Sequence, residues 1–275
     1  MIGTLNLALG ALFDVLMAPF RRIGPGAAMM SISLITGLLM LWIFKKTSNQ
    51  AGIRRAKDRI KAHLLELRLY KDSLGQSFRS QGGILAANGR YMAHALRPML
   101  VMIVPVLLIL IQLNLWFGAA PLKTGESAIV KVKLAPGQSA LATDIVLTAP
   151  AGLTVETPSL RIEEDREIDW RVRADSSGRH LLIFRLDGRD IAKSLVVEGP
   201  ALSKVSGMRT RGVGGEFFNP GEKALPKDAP ILSIEIGYPP RRLPFLGLRL
   251  PWLVAFFVLS IVFGFALKGV FKVEM

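Results

Sequence analysis

The sequence predicts an α-helical membrane protein with three transmembrane helices and a cytoplasmic helical hairpin, joined to an extracytoplasmic all-β, sandwich-like domain. Three observations carry this. Residues 27–44, 98–120 and 250–267 contain no charged side chain. Residues 45–97 hold twelve Lys and Arg against three acids, Asp58, Glu66 and Asp72, for a net charge of +9. A short loop that basic stays on the cytoplasmic side and orients its neighbours. Residues 121–249 change to a period-two alternation of apolar and polar side chains, the pattern of half-buried strands.

Composition agrees. With 51% hydrophobic and 20% charged residues and a mean hydropathy of +0.39, the chain is too apolar for an ordinary soluble domain. Its formal charge of +14 would suit nucleic acid, yet the excess lies where membrane topology puts it, which argues against DNA as a partner. The absence of cysteine removes disulfides, thiolate metal sites and a cysteine nucleophile.

Residues 1–24 open with an apolar stretch whose one charge before Arg21-Arg22 is Asp14. A signal peptide would carry its positive charge before the apolar region. A full span would hold Asp14 in hydrocarbon at roughly 2.5–3.5 kcal/mol. A helix lying in the membrane interface avoids both difficulties, with Leu5, Leu9, Leu12, Phe13, Leu16 and Phe20 toward lipid.

The first span, Ala27–Phe44, follows a Gly24-Pro25-Gly26 hinge and ends at Lys45-Lys46. Its 18 residues cover roughly 27 Å, enough for the hydrocarbon core. Trp42 suits the inner interface. Ser31, Ser33 and Thr36 serve helix packing or, if they converge, line a polar groove.

Residues 45–97 then show a heptad. Ile53, Ile60, Leu67 and Leu74 recur every seven residues, with Ala56, His63, Tyr70 and Ser77 at the second seam position. Gly75 and Gly82-Gly83 interrupt the pattern, and Ile84 to Leu96 supply a shorter returning arm. Arg54, Arg55, Lys57, Arg59, Lys61, Arg68 and Lys71 form the outer, basic face. That face either simply retains the hairpin at the membrane or contacts ribosomal RNA, anionic lipid or a nascent chain.

Pro98–Ala120 is the second span. Pro98 suits a first helical turn, and Pro105 predicts a kink. Gln112 and Asn114 sit near the outer end as hydrogen-bonding groups between helices or as cavity lining. Within 121–249 the strand candidates are residues 130–134, 144–148, 168–172, 180–186, 192–197 and 231–236. Pro136-Gly137, Pro150-Ala151-Gly152, Ser176-Ser177-Gly178 and Asp187-Gly188 mark the turns. Residues 199–230 read as a long flexible loop around Phe217-Phe218, a surface for docking on a partner or on the bilayer. The last span, Leu250–Leu267, leaves an eight-residue cytoplasmic tail, 268–275.

Nothing resembles catalytic machinery. His63, His94 and His180 are scattered, and neither a zinc-protease motif nor a carboxylate pair lies in a span, so an enzyme, a metal site and a cofactor are not expected.

The order of parts resembles the YidC/Oxa insertase superfamily, in particular its minimal three-span branch, which includes archaeal YidC-like proteins and the insertase subunit of the ER membrane protein complex. Residues 1–120 and 250–271 carry the resemblance, with Asn88-Gly89-Arg90-Tyr91 before the second span and Pro105 followed by Gln112 within it. It implies a lipid-open groove with Arg21 or Arg22 as its cation and Ser31, Ser33, Thr36, Gln112 and Asn114 as polar lining. Family insertases commonly carry a cation inside the first span, whereas residues 27–44 hold none, and the outer insertion of 129 residues exceeds the usual size. The expected function is assistance in inserting or assembling membrane proteins in the cell inner membrane, with the N-terminus outside and the C-terminus cytoplasmic. Nascent membrane proteins, the ribosome and anionic lipid are the expected partners. The alternative is a membrane-anchored scaffold presenting its outer domain to an envelope protein.

Overall fold

The structure, a computed structural model, describes residues 2–69, 74–186, 188–245, 247–271 and 273. In chain order its helices are α1 (Ile2–Met17), α2 (Phe20–Ile23), α3 (Pro25–Thr47), α4 (Gln50–Leu69), α5 (Leu74–Leu113), α6 (Gly212–Phe218) and α7 (Trp252–Leu267), and a π-helical turn, Asn114–Gly118, follows α5. The strands are β1 (Ser127–Leu134), β2 (Ile145–Thr148), β3 (Leu153–Val155), β4 (Leu160–Ile162), β5 (Glu167–Ala174), β6 (Gly178–Leu186), β7 (Arg189–Val197), β8 (Met208–Thr210), β9 (Ile231–Ile236), β10 (Arg242–Phe245) and β11 (Leu248–Pro251). The chain divides into two compact units: Met1–Ala28 with Ile109–Trp252, and Met29–Leu108 with Leu253–Met275.

In the first unit, alternation decides which side chains go inside. β1 buries Val130, Val132 and Leu134 while Lys131 and Lys133 point out, and β5 repeats this with Ile168, Trp170 and Val172. β1 and β5 pair antiparallel with Lys131 opposite Asp169 and Lys133 opposite Glu167, so the outward face is a ladder of opposite charges. One sheet runs β3-β5-β1-β9-β8, with β4 also on β5; a second runs β2-β6-β7. Side chains from both enter one hydrophobic cluster, where Trp170 and Phe184 meet edge to face at 5.8 Å between ring centroids. The turn signals hold: Gly137, Gly152, Gly178 and Gly188 all take positive φ, which glycine adopts without penalty. Leu186 pairs with Arg189 across the β6–β7 turn; Asp187 lies outside the described residues.

Two expectations change here. Residues 199–230 are not a structureless loop, because β8 pairs with β9, α6 lies within the segment, and side chains tie it to the rest of the unit. Arg209 donates to the carbonyls of Lys223 (2.7 Å) and Ala192, and Arg211 donates to that of Ala229 at 2.7 Å. Guanidinium donors thus replace the missing ladder, a substitution invisible to periodicity. The other change concerns α1, whose expected lipid face included Phe13. Phe13 is 5% exposed whereas Leu5, Leu7, Leu12 and Val15 are exposed. The polar side chains explain the turn of the helix: Asn6 donates to the Glu216 carbonyl at 2.8 Å, and Asp14 pairs with Lys204 at 3.0 Å.

In the second unit, α4 and α5 form an antiparallel hairpin. A Cβ on Gly52 would meet His94, and one on Gly83 would meet the His63 ring, while Ser80 Oγ donates to Glu66 at 3.0 Å. The heptad marked the inner stripe: Ile53 and Ala56 are buried, and Ile60, His63 and Leu67 are partly so. Tyr70 and Lys71 lie outside the described residues. The glycines, however, do not break the returning arm. α5 is continuous for 40 residues, with Pro98 and Pro105 inside it. Gly83 is small because an imidazole packs against it. Each proline leaves one carbonyl, His94 or Val101, without its i+4 donor, which helices in apolar surroundings tolerate when neighbours compensate.

Two stretches are long and apolar enough to cross a membrane, α3 and residues Arg79–Gly118 through α5 and its π-helical turn; α1 and α7 are apolar but shorter. The 16 residues of α7 reach roughly 24 Å, and the β10–β11 hairpin occupies the start of the expected 250–267 span. Large apolar side chains remain exposed along all three helices of this unit that carry apolar runs, among them Ile35 and Leu39 on α3, Leu100 and Val104 on α5, and Val258 and Val262 on α7.

Candidate functional site

The helices α3, α5 and α7 enclose a cleft of about 380 Å³ within the second unit. α3 contributes Thr36 and Met40, α5 Met99 and Met102, and α7 Phe257 and Ser260. The close approach of α3 and α7 has a sequence cause. Ser33 and Gly37 lie one turn apart on α3, and Ser260 and Gly264 lie one turn apart on α7, so small residues meet along the crossing. A Cβ on Gly37 would stand 3.1 Å from the Ser260 carbonyl and 3.4 Å from Gly264 N. Ser33 Oγ donates across the crossing to the Phe256 carbonyl at 3.5 Å.

Thr36 and Ser260 line this largely apolar cleft, and the hydroxyl oxygen of each is buried with no hydrogen-bond partner among the described residues. An unpaired buried hydroxyl costs about 1–3 kcal/mol. The cleft therefore favours a mostly apolar occupant, and both hydroxyl oxygens are enclosed by the helices themselves. Ser260 and Gly264 were missed by the sequence reading, although the matching Ser-x3-Gly spacing on both helices was there to find.

The seven residues expected to form one groove are divided. Ser31, Ser33 and Thr36 belong to the second unit; Arg21, Arg22, Gln112 and Asn114 belong to the first, so neither unit alone holds the set. Arg21 and Arg22 are exposed on α2, and the Arg21 guanidinium lies 5.5 Å over the Trp116 ring, a cation–π contact. Gln112 is 1% exposed, and among the described residues neither its oxygen nor its nitrogen has a partner. Asn114 is exposed and folds over Gly118, where a Cβ would collide with its side-chain oxygen.

On the hairpin, Arg54, Arg55, Arg59, Lys61 and Arg68 are exposed and Lys57 is half-buried, as the basic face requires. A second cavity, of about 220 Å³, opens between α4 and α5 beside Asn49, Gly52, Arg55, Arg59, Arg90 and His94.

In the first unit, Phe217 and Phe218 end α6 and stack edge to face at 5.2 Å, with Phe218 60% exposed. Nearby, the sequence reading overlooked Lys193, which is fully buried in β7. Its ammonium donates to Glu222 Oε1 at 2.5 Å and to the Ser206 carbonyl at 2.6 Å, and Ser194 Oγ donates to Glu222 Oε1 at 3.0 Å. Burial holds the Lys193 ammonium below the usual lysine range, with Glu222 opposing that shift. The signal was a lone lysine in the apolar run from Ile191 to Val197. Because it is ion-paired, it acts as a staple holding residues 206–222 to β7. No group of three or more metal-ligating side chains gathers among the described residues.

No family model, no curated protein and no solved structure matches this chain.

Proposed function

We propose that this chain is a three-span inner-membrane protein of YidC/Oxa type that assists the insertion or assembly of other membrane proteins, with the α3–α5–α7 cleft receiving the client segment. The observation that carries the reading is a largely apolar cleft, lined by Thr36 and Ser260 whose buried hydroxyls have no partner among the described residues, among helices with exposed apolar side chains. Polar groups held in an apolar cleft lower the cost of bringing peptide polar atoms out of water. In this reading α7 serves as the third span, shortened and compensated by local thinning of the bilayer, and the net charge of 45–97 keeps the hairpin cytoplasmic. The two sheets of the first unit form an extracytoplasmic β-sandwich, the basic face meets the ribosome or anionic lipid, and no catalytic role or cofactor enters.

Thr36→Leu combined with Ser260→Leu fills the cleft and removes both hydroxyls. Insertion of a reporter membrane protein into proteoliposomes carrying this variant is expected to drop. Insertion at the wild-type level would remove the cleft from the mechanism.

A second reading has its own support. The segment 199–230 is pinned by Lys193, Arg209 and Arg211 yet leaves Phe218 exposed, which suits a scaffold that docks an envelope protein through α6. Phe218→Asp would then abolish capture of that partner while leaving reporter insertion intact.

A further inference from the structure

The cavity between α4 and α5 gathers positive charge with no negative charge to match. Three guanidiniums, Arg55, Arg59 and Arg90, and the ring of His94 surround it, and no acidic side chain lines it. Among the described residues no carboxylate pairs with any of the three arginines. Like charges that line one cavity repel unless an anion sits among them.

The backbone is shaped for the same purpose. Asn49 Oδ1 accepts the Gly52 N–H at 2.9 Å, which leaves the Asn49 amide nitrogen free to donate into the cavity. A Cβ on Gly52 would strike both that nitrogen and His94 Nε2 at 2.9 Å. Only glycine leaves the space in which the Asn49 amide nitrogen and His94 Nε2 converge. The lining is thus rich in donors: Arg55 Nε donates to the Ala51 carbonyl at 3.3 Å, and the guanidinium forks of Arg59 and Arg90 match the oxygens of a phosphate.

Position along α5 indicates where the phosphate comes from. His94 lies five residues before Met99, where the exposed apolar side chains of α5 become continuous beyond its last charge, Arg97, a rise of roughly 7.5 Å; Met92 and Leu96 are exposed before it. Lys45 and Lys46 close α3 just before Asn49. A cavity at that level sits where lipid phosphates lie, and basic pockets between helices at this depth hold anionic headgroups.

We infer that Arg55, Arg59, Arg90, His94 and Asn49 form a phosphate site that takes the headgroup of an anionic glycerophospholipid. The site depends on the membrane reading of α3 and α5, and it does not depend on the insertase reading.

The test uses the full chain in detergent with phosphatidylglycerol, phosphatidylcholine and inorganic phosphate as probes, and native mass spectrometry to count retained lipid. Arg59→Gln with Arg90→Gln should weaken phosphatidylglycerol retention by about tenfold or more. Arg79→Gln with Arg97→Gln, which removes equal charge from the hairpin outside the cavity, should weaken it less than about twofold. Arg59→Lys with Arg90→Lys keeps the charge but loses the forks, and should fall between the two. Phosphatidylcholine retention should be low and equal in every variant. Equal losses in the glutamine pairs would reduce the effect to diffuse charge and overturn the site. Displacement of phosphatidylglycerol by millimolar inorganic phosphate would overturn the lipid source. The assay contains no client protein, so its failure is distinguishable from failure of the insertase reading.

Discussion

A single buried lysine decides much about the first unit. Lys193 exchanged water for Glu222, the Ser206 carbonyl and a fully enclosed position. Removing one member of such a pair leaves the other charge uncompensated, so Lys193→Ala is expected to cost about 3 kcal/mol, measured by thermal or denaturant unfolding. Lys193→Met with Glu222→Leu should cost less than Lys193→Ala alone, because no charge is left unpaired. The pH dependence has a defined sign. Since the folded value of Lys193 is lowered, the unfolded chain binds more protons between that value and about 10.4, and stability rises with pH through this window. Tyr238, pushed up by burial, opposes this above about pH 10, so the rise is read below pH 10. The wild type should gain stability over Lys193→Met as pH climbs toward 10; parallel profiles would show that the lysine is not desolvated in solution. Gly37 is a second single-residue lever. Gly37→Leu forces α3 from α7 and should lower the melting temperature in detergent, by about 1–3 kcal/mol in stability.

Elements differ in how readily the sequence disclosed them. The strands with strict alternation, β1 and β5, and the turns with glycine at positive φ were legible because one local rule sets each. The short strands β3, β4 and β8 were not, since three residues carry no measurable period and their edges are fixed by pairing with distant strands. Gly82-Gly83 looked like a stop signal because glycine weakens isolated helices, whereas tertiary packing of His63 against Gly83 outweighs that propensity. The basic face of α4 was readable directly, but the partition of Arg55 and Arg59 toward a cavity shared with Arg90 was not, because the antiparallel pairing that joins them depends on α5. Reversing Arg54, Arg55, Arg59 and Lys61 to Glu should weaken pelleting with ribosomes or anionic liposomes at low salt, with the difference shrinking as salt rises. Unchanged pelleting would deny the face any contact role.

For the whole molecule, the sequence conveyed the succession of apolar helices, basic hairpin and strand-rich region, and these are the parts of both compact units. The candidate site was half legible. Thr36 was named from its place in an apolar run, while Ser260 stayed hidden because the relation between two helices so far apart in sequence is a tertiary fact. The cleft therefore carries the central claim. The most direct measurement is site-specific photocrosslinking from positions 36 and 260 to stalled, ribosome-bound membrane nascent chains in native membranes. Crosslinks at both positions would agree with a client-receiving cleft. Crosslinks found only from position 218, to a fixed set of envelope proteins, would contradict it and make α6 the working surface.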